Sequence, residues 1–378
     1  MKILIINWRD PKSPLEGGAE RFTQKYGEYW ADSGHQVTWL TNSFEGSKEK
    51  EQKNGISYLR IGPSLDGSLF KYIFYYPIYL IKTILFAKNY IEEEKIDLVI
   101  DEIHGFPFFT PLYSKARNVL LTCEVAGPIW DKMFPFPINL IGRYTEKFIY
   151  QIYKNTEIWA ISENTKKNIQ ELLPNKKVKV IDLGVDKNKE ILEKIKDVKK
   201  TLYPSAVFLA RLVKMKGIET AIEATAEIVK EMPDFKLFVI GGGLADYESF
   251  LREKVIDLKI SENIEFLGFR DGVDKFQAIK KCHVLLHPSY KEGFGLTVIE
   301  AGLVGVPTIA REGSSLDALV ANGLNGYRFT DEDEIKKLFQ KVYNSKVSKK
   351  MMAEAIKKSN YYLWPNVLER SKKITGIK

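Results

Sequence analysis

The sequence predicts an α/β protein with two doubly wound domains, each a parallel sheet covered by helices on both faces. Short apolar runs alternate with helical patterns along the chain, which is typical of such sheets. The alternation pauses in the charged segment 186–200 and then begins again. With 378 residues, the chain is also too long for one compact core. We therefore expect a first domain over 1–184 and a second over 185–360.

The first half contains apolar runs of strand length separated by helical patterns. A helix is predicted over 19–33, because Gly34 follows it and glycine readily adopts the conformation that ends helices. Another helix is predicted after Ser162, whose hydroxyl can accept a hydrogen bond from the first turn. The predicted strands cover residues 2–8, 37–41, 56–61, 98–101, 119–122, 158–161 and 178–181.

The second half repeats this alternation, with helices predicted over 217–230 and 331–344. The final segment, 361–378, is expected to be helical and to pack back on the first domain. Because ligands of doubly wound sheets bind at the carboxyl ends of the strands, we expect the active site in a cleft between the domains. The predicted strands cover residues 206–210, 237–240, 264–267, 284–286 and 308–310.

The composition is that of an ordinary globular protein, with 44% hydrophobic and 28% charged residues. The net charge of +8 favours anionic partners such as nucleotides or acidic lipid headgroups. No nucleic-acid-binding module is visible, so we expect no nucleic acid partner. Cys123 and Cys282 belong to no Cys-x-x-Cys pair, which indicates reduced thiols in a cytoplasmic protein and neither a disulfide framework nor a zinc site.

The segment 70–91 is rich in aromatic and aliphatic residues, but we do not expect it to span a membrane. A spanning helix needs about 20 nearly uncharged residues. This segment is interrupted by Lys71, Pro77, Lys82 and Lys88.

The most informative motif is Glu292-Gly-Phe-Gly-Leu-Thr-Val-Ile-Glu300. A glycine-rich loop leads into a helix predicted to begin near Leu296, where unpaired backbone N–H groups suit an anionic or hydroxyl-rich ligand. Glu292 would lie in the loop. Glu300 would lie about one turn into the helix, where its carboxylate can accept hydrogen bonds from paired sugar hydroxyls. Taken alone, a solvated loop carboxylate and a helix-surface carboxylate explain the pattern equally well.

Two further motifs could hold a phosphate. Gly17 and Gly18 follow the first strand and open a helix, which permits close approach of a phosphate to the backbone. A plain glycine turn would look the same. Arg211 and Lys216 follow the predicted strand 206–210 and could neutralise a diphosphate. The alternative there is a solvated basic loop.

A third glycine turn, Gly241-Gly242-Gly243, ends another predicted strand. It is similar to a phosphate-binding turn, but the Gly-x-Gly-x-x-Gly dinucleotide pattern is incomplete. We interpret it as a tight turn near the ligand.

Together these motifs resemble those of retaining glycosyltransferases with the GT-B fold, and the chain is most similar to glycosyltransferase family 4. They occur in the family's order and cover most of the chain. The two glutamates combined with Arg211 and Lys216 are the most specific part. The matching segments are 17–20, Arg211 with 216–217, 241–243, 263–268, 287–295 and 323–326.

The resemblance implies a nucleotide-diphosphate-sugar donor. We expect UDP or GDP as its nucleotide, and an adenosine donor is the alternative. Arg211 and Lys216 would bind the diphosphate and stabilise the leaving nucleotide, Glu300 would hold the ribose hydroxyls, and Glu292 would hold the transferred sugar. Further contacts to the sugar, base and phosphates are implied for Gly293, Phe294, Gly295, Leu296, Phe266, Leu267, Gly268, Gly241, Gly242, Gly17 and Gly18.

The resemblance also implies retention of the anomeric configuration. Breaking the anomeric C–O bond leaves negative charge on the diphosphate. Fixed cations and helix dipoles aimed at that charge lower the barrier without a metal. We therefore expect no required metal and no cofactor other than the donor, which is a co-substrate.

One position departs from the family pattern. Many members have a histidine after the strand that is here 119–122, whereas this chain has Cys123 and Glu124. Glu124 could contact sugar hydroxyls or assist proton transfer. His104 follows the preceding strand and could act as the base for the acceptor or position it, although a hydrogen-bonded loop histidine explains it at least as well.

The first domain should bind most of the acceptor. Segments 70–91 and 129–153 mix aromatic with basic residues, which fits an interfacial surface that contacts acidic lipid. A helix buried on one face would look similar. Membrane contact would place the protein on the cytoplasmic membrane face, with a lipid-linked sugar or a glycolipid as the acceptor. A soluble glycan is the alternative.

Two other functions remain open from the sequence. One is another enzyme on the same scaffold, such as a nucleotide-sugar epimerase or a phosphorylase. The other is a non-catalytic nucleotide-sugar-binding protein, which is motivated by the missing histidine before Glu124. Release of free nucleotide only in the presence of acceptor would distinguish a transferase from both.

Overall fold

The structure is a computed structural model. It describes residues 1–13, 17–65, 69–103, 106–127, 130, 136–343 and 345–377, with the backbone alone for 69–73 and 345–348. The chain forms two compact units. Unit 1 comprises Met1–Asp182 and Leu368–Lys378, and unit 2 comprises Leu183–Val367. The chain thus leaves unit 1 after Asp182 and returns to it after Val367.

Unit 1 contains an eight-stranded sheet in the order β3-β4-β2-β1-β5-β6-β7-β8. Its strands are β1 (Lys2–Ile6), β2 (Gln36–Asn42), β3 (Lys50–Lys53), β4 (Ile56–Ile61), β5 (Leu98–Ile103), β6 (Arg117–Thr122), β7 (Glu157–Ala160) and β8 (Val178–Val180). In the described part of this sheet, β3 pairs antiparallel with β4 and the other neighbours pair in parallel. Residues 3–6 of β1 are fully buried, as expected for a strand with helices on both sides.

Two helices of unit 1 have clear start or stop signals. The Ser162 hydroxyl accepts a hydrogen bond from the Thr165 amide at the start of the fourth helix. Gly34, with a φ of +88°, follows the first helix. The helices are α1 (Gly18–Asp32), α2 (Leu69–Glu93), α3 (Ile138–Ile152) and α4 (Glu163–Leu172).

Unit 2 contains a six-stranded parallel sheet in the order β11-β10-β9-β12-β13-β14. Its strands are β9 (Ser205–Leu209), β10 (Lys236–Ile240), β11 (Ile264–Gly268), β12 (Val284–His287), β13 (Thr308–Arg311) and β14 (Gly326–Phe329). The helices that follow unit 1 in the chain are α5 (Lys189–Lys194), α6 (Ile218–Val229), α7 (Ala245–Asp257), α8 (Gly272–Lys281), α9 (Leu296–Leu303), α10 (Leu316–Leu319), α11 (Glu334–Tyr343), α12 (Ser345–Tyr361) and α13 (Trp364–Thr375).

These two α/β units confirm the predicted fold class, and each strand predicted from an apolar run is present with small shifts of its ends. Two strands were missed. The sequence of β3, Lys-Glu-Gln-Lys, has no apolar residue and forms an antiparallel edge strand. The strand β14 lies at the other sheet's edge and begins with a glycine. Edge strands bury less surface, so hydrophobic patterning marks them weakly.

Among the described residues, no helix is both long and apolar enough to cross a membrane. The segment expected not to span one forms α2, which contains Pro77.

Candidate active site

The predicted ligand-binding residues of unit 2 follow the carboxyl ends of neighbouring strands. Arg211 and Lys216 follow β9, Gly241 follows β10, and Glu292 follows β12. The sheet order puts β10, β9 and β12 side by side. Because parallel strands end at the same edge of a sheet, these three loops lie at one edge of unit 2, the place where such sheets bind ligands.

Two glycines allow these loops to approach each other closely. A Cβ atom on Gly241, whose φ is +143°, would lie 1.9 Å from the Ala210 carbonyl oxygen. A Cβ atom on Gly217, whose φ is +72°, would lie 2.2 Å from the Pro288 carbonyl oxygen. Only glycine fits such positions without moving a neighbouring loop. Gly241 thus serves the packing of the loop after β9, and Gly217 brings the start of α6 against the loop after β12.

An ion pair joins two of the predicted residues. The Lys216 ammonium donates a hydrogen bond of 2.6 Å to Glu292 Oε1. The Ser289 hydroxyl donates to the same oxygen at 3.1 Å. The Nε2 atom of His287 lies 3.4 Å from that oxygen and 3.0 Å from the Thr297 hydroxyl. The Glu292 carboxylate is therefore fixed by groups from two loops and from the end of β12, and His287 in turn contacts the first turn of α9.

The charge states in this cluster follow from burial and from neighbouring charges. Burial opposes ionisation of Glu292, but His287 and Lys216 outweigh it and hold the pKa of its carboxyl below the usual value. Burial also lowers the pKa of His287, which keeps the imidazole neutral at neutral pH. The cluster therefore presents a carboxylate that can accept hydrogen bonds from hydroxyls, next to an ammonium that can bind an anion.

Arg211 differs from Lys216 in its surroundings. Its side chain is exposed, and within the described part of the chain it makes no hydrogen bond or ion pair. A guanidinium without a protein partner can bind an anion without first breaking an ion pair. Lys214, in the same loop, is exposed as well.

Glu300 lies in the second turn of α9 and is paired with a residue that the sequence did not single out. The Lys275 ammonium lies 3.0 Å from Glu300 Oε1 and 3.2 Å from Asp271 Oδ1. Burial would lower the pKa of Lys275, but the two carboxylates outweigh it and raise that pKa. The two glutamates of the motif are therefore not equivalent, because each has a lysine partner from a different element.

The residues predicted to lie along a nucleotide base occupy the end of β11, beside β10. Phe266 packs partly against the hydrophobic core of unit 2, and the Arg252 guanidinium lies 4.6 Å from its ring centre. Leu267 is partly buried and Gly268 is exposed. Of this group, Phe266 has the clearest structural role.

A hydrogen bond and a buried aromatic side chain fix the glycine-rich loop before α9. The Ser315 hydroxyl donates a 2.7 Å hydrogen bond to the Gly293 carbonyl oxygen. Phe294 is buried and contacts the Tyr362 ring edge-on. Gly295 precedes the helix with a φ of +101°, and Leu296 opens the helix half-buried. The Phe294 side chain thus anchors the loop.

In unit 1, the predicted glycine turn follows β1 and starts α1. Residues 14–16, directly before it, lie outside the described residues. The Gly17 amide donates a 2.7 Å hydrogen bond to Glu20 Oε2, and Glu20 is fully buried. The Gly17 amide is therefore already bonded within the protein, whereas Gly18 begins the helix.

The two remaining predicted catalytic residues belong to unit 1. Glu124 follows β6 and is exposed. Its neighbour Cys123 is buried, with its thiol 3.7 Å from Glu102 Oε1. His104 lies outside the described residues.

Lys275 and Ser289 lie in the site but were not among the predicted site residues. The spacing of Asp271 and Lys275 is that of an ion pair on one helix face, so the pair itself was detectable. Its contact with Glu300 depends on how α8 packs against α9, which no local pattern reveals. In the described ranges, no group of three or more His, Cys, Asp or Glu side chains could hold a metal ion.

Two family models match the chain, one after the other. The model described as Glycosyltransferase Family 4 matches residues 16–189, and the model described as Glycosyl transferases group 1 matches residues 189–359. Between them they cover unit 2 almost completely and most of unit 1.

Individual proteins agree with these matches. An uncharacterized glycosyltransferase of Methanocaldococcus jannaschii is 27% identical over 302 residues, which cover 78% of this chain and 80% of that protein. Sucrose-phosphate synthase from Thermosynechococcus elongatus has a TM-score of 0.80 at 16% identity, over 99% of this chain and 98% of that one. Anabaena HepE, solved in complex with UDP-glucose, has a TM-score of 0.73 at 17% identity, over 100% of both chains. The chain therefore belongs to glycosyltransferase family 4 and has the GT-B fold.

Proposed function

We propose that this glycosyltransferase transfers a sugar from a UDP- or GDP-sugar to a glycan or lipid-linked acceptor, with retention of configuration and without a metal. The observation that carries the proposal is the Lys216–Glu292 ion pair at the carboxyl edge of the unit 2 sheet, with the exposed Arg211 in the same loop as Lys216. An ammonium and a guanidinium suit a diphosphate, and a fixed carboxylate next to them suits sugar hydroxyls.

In this proposal, Arg211 and Lys216 bind the donor diphosphate. As the anomeric C–O bond breaks, negative charge grows on the diphosphate oxygens, and both cations stabilise that charge. Glu292, already held by Ser289, accepts hydrogen bonds from the hydroxyls of the transferred sugar. Glu300 binds the ribose hydroxyls through its carboxylate.

The nucleotide is proposed from the comparison with HepE, whose structure holds UDP-glucose. That similarity supports a nucleotide-sugar donor and leaves UDP and GDP as the candidates. The acceptor is assigned to unit 1, where Glu124 is exposed at the carboxyl end of β6. A carboxylate there could contact acceptor or sugar hydroxyls.

The decisive experiment is a panel of UDP-, GDP- and ADP-sugars assayed for nucleotide release, with and without acceptors and with EDTA in one arm. We expect one donor to be consumed only when acceptor is present, with an α-linked product from an α-linked donor and no loss in EDTA. Binding without turnover across the panel would instead support a non-catalytic nucleotide-sugar binder. Isomerisation of the donor without acceptor and without release of free nucleotide would support an epimerase.

The residue assignment is tested with Arg211→Ala and Lys216→Ala. Each variant loses a cation that acts on the leaving group, so we expect kcat to fall by about 10²-fold or more with the fold intact. Lys214→Ala is the matched control, because Lys214 is an exposed cation of the same loop. Wild-type turnover in both test variants would refute their role.

We also propose that unit 1 contacts an anionic membrane. Helix α2 is apolar on two opposite faces. On one face, Tyr79, Thr83 and Ala87 are fully buried. The other face has an exposed apolar row whose spacing of four, three and four residues keeps it on one side of the helix. This row consists of Phe74, Ile78, Ile81 and Leu85, which are exposed by 56%, 47%, 59% and 61%.

Helix α3 has a similar exposed row. Ile141, Tyr144 and Phe148 are exposed by 61%, 73% and 66%, while Gly142 and Ile149 on the other side are buried. Exposed apolar rows on two helices of one unit are unusual for a protein surface in contact with water alone.

The charges beside these rows favour an anionic lipid surface over a second copy of the chain. Lys82 and Lys88 flank the row on α2, and Arg143 and Lys147 lie beside the row on α3; all four are exposed. In a symmetric pair of identical faces these cations would oppose each other, whereas acidic headgroups would neutralise them. Flotation with vesicles that contain anionic lipid, compared with purely zwitterionic vesicles, tests the contact.

A further inference from the structure

The Lys275 side chain is held in a fixed place next to Glu300. Its ammonium contacts Glu300 Oε1 at 3.0 Å and Asp271 Oδ1 at 3.2 Å, and it lies 5.2 Å from the centre of the Phe276 ring. The Lys275 side chain is 15% exposed and that of Glu300 is 23% exposed. An ion pair this sheltered is screened less by water than a surface pair, and both partners keep defined positions.

The pair leaves part of the Glu300 carboxylate available to a ligand. Lys275 occupies Oε1, and among the described residues no hydrogen bond is donated to Oε2. A carboxylate oxygen has two acceptor positions, so Oε2 can accept from a hydroxyl, and Oε1 keeps a second position. Lys275 thus orients the Glu300 carboxylate and leaves acceptor positions on it for a ligand.

The Lys275–Glu300 pair also reduces the repulsion between Glu300 and a bound diphosphate. A nucleoside diphosphate carries negative charge, and an unpaired carboxylate near it would repel it. With Lys275 at 3.0 Å, the Glu300 charge is largely compensated, so the carboxylate can bind hydroxyls next to a diphosphate. Asp271 adds a negative charge, but its side chain is 65% exposed and is therefore well screened by water.

We propose that Lys275 is a positioning residue for Glu300 and that the pair makes the enzyme select donors with an intact ribose 2′-hydroxyl. This inference rests on the proposed donor site. The proposed donor site did not include Lys275, which acts through Glu300, or selection for the ribose 2′-hydroxyl. Lys275 contacts no reacting atom in this scheme, so its loss should affect nucleotide affinity and KM more than kcat.

The test measures binding by calorimetry. The wild type is titrated with UDP, GDP and ADP, and the tightest of these is then compared with its 2′-deoxy form. We expect the wild type to bind the ribonucleotide about tenfold more tightly than the deoxynucleotide, which is the effect of about one hydrogen bond to a charged group. Lys275→Met should weaken binding of the ribonucleotide about tenfold and that of the deoxynucleotide less than about threefold.

Four further proteins separate positioning from a merely structural role. Glu300→Gln should lose the same discrimination, and the Lys275→Met/Glu300→Gln double variant should be no worse than either single variant. Lys275→Arg should keep most of the discrimination, because a guanidinium can still reach both carboxylates. Lys281→Met is the control, since Lys281 is an exposed lysine on the same helix.

The outcomes distinguish failure of the Lys275 role from failure of the proposed donor site. If the wild type binds none of the three nucleotides, the donor site fails and the role of Lys275 fails with it. If the wild type binds but Lys275→Met weakens ribo- and deoxynucleotide equally, or changes only the melting temperature, the positioning role is overturned while the donor site stands. Should Lys275→Met not fold, Lys275→Gln takes its place as the variant expected to lose the discrimination, and Lys275→Arg remains the variant expected to keep it.

Discussion

Glu102 is the buried group of unit 1 whose ionisation should most affect stability. Its side chain is fully buried at the end of β5, next to the Cys123 thiol. Burial, together with the negative charge of Glu20, raises the pKa of its carboxyl to about 8. The folded protein therefore keeps Glu102 protonated at pH 7, whereas in the unfolded chain the same carboxyl ionises near pH 4.5.

The sign of the pH effect follows from linkage. Between about pH 4.5 and 8 the folded state binds a proton that the unfolded state has lost, so this contribution to stability is complete below pH 4.5 and is lost as the pH rises to 8. Glu102→Gln cannot ionise. Its free energy of unfolding relative to wild type should therefore increase by on the order of 4 kcal/mol between pH 4.5 and 8.

Urea unfolding at several pH values measures this difference. Glu93→Gln is the control, because Glu93 is an exposed glutamate on α2. A pH-independent difference for Glu102→Gln would mean that Glu102 is ionised in the folded protein.

At the same scale, the sequence predicted residue types in the candidate site better than it predicted their partners. The motif predicted Glu292 in a loop before a helix and Glu300 about one turn into that helix, as observed. The partner Lys216 belongs to the loop between β9 and α6, and the partner Lys275 belongs to α8. Lys216 could be predicted as a site residue because a loop that follows a strand is recognisable from the sequence. Lys275 could not, because its contact depends on the packing and rotation of two helices.

At the scale of elements, helices α2 and α3 expose rows of apolar side chains of the kind that usually pack against another surface. The sequence could not choose between a helix buried on one face and an interfacial helix, because apolar residues occur all round α2. The structure resolves the faces: one side of α2 is buried and the opposite side exposes Phe74, Ile78, Ile81 and Leu85.

The exposed row of α2 should carry much of the proposed membrane contact. Replacing Ile81 and Leu85 together with Asn removes two exposed apolar side chains, each able to contribute about 1.5 kcal/mol or more when transferred from water. We expect binding to anionic vesicles to fall at least about tenfold. Lys82→Gln with Lys88→Gln should weaken mainly the part of the binding that high salt removes.

The matched control is Leu244→Asn, which removes an exposed leucine from unit 2. Unchanged vesicle binding in the Ile81/Leu85 variant, or equal binding to zwitterionic vesicles, would contradict the membrane contact. A concentration-dependent dimer that disappears in this variant would identify a second copy as the partner of the row.

At the scale of the whole molecule, the alternation of apolar runs with helical patterns was enough to predict two α/β units. It did not predict β3 or β14, because edge strands with polar or glycine-containing sequences do not stand out from loops. Nor could it predict where the last helix changes units. The chain passes from unit 2 to unit 1 within α13, after Val367.

The C-terminal segment contributes buried and charged contacts to unit 1. Thr375 and Ile377 are almost fully buried. The Arg370 guanidinium donates a 3.0 Å hydrogen bond to Asp182, and the Arg117 guanidinium donates a 2.8 Å hydrogen bond to the Thr375 carbonyl oxygen. These contacts join residues that are far apart in sequence: Asp182 and Arg370 are separated by 188 positions, and Arg117 and Thr375 by 258.

Ending the chain after Val367 should therefore destabilise unit 1 selectively. The deletion removes buried apolar surface, and it leaves Asp182 and Arg117 without these partners, so we expect a loss of about 2 kcal/mol or more in the stability of unit 1. Hydrogen exchange should show faster exchange in β6 and β7 and little change in β9 and β10 of unit 2. Arg370→Ala in the full-length chain is the control for the ion pair alone and should have the smaller effect, because it keeps Ile377 buried. Unchanged exchange in β6 and β7 after the deletion would mean that unit 1 is stable without its C-terminal segment.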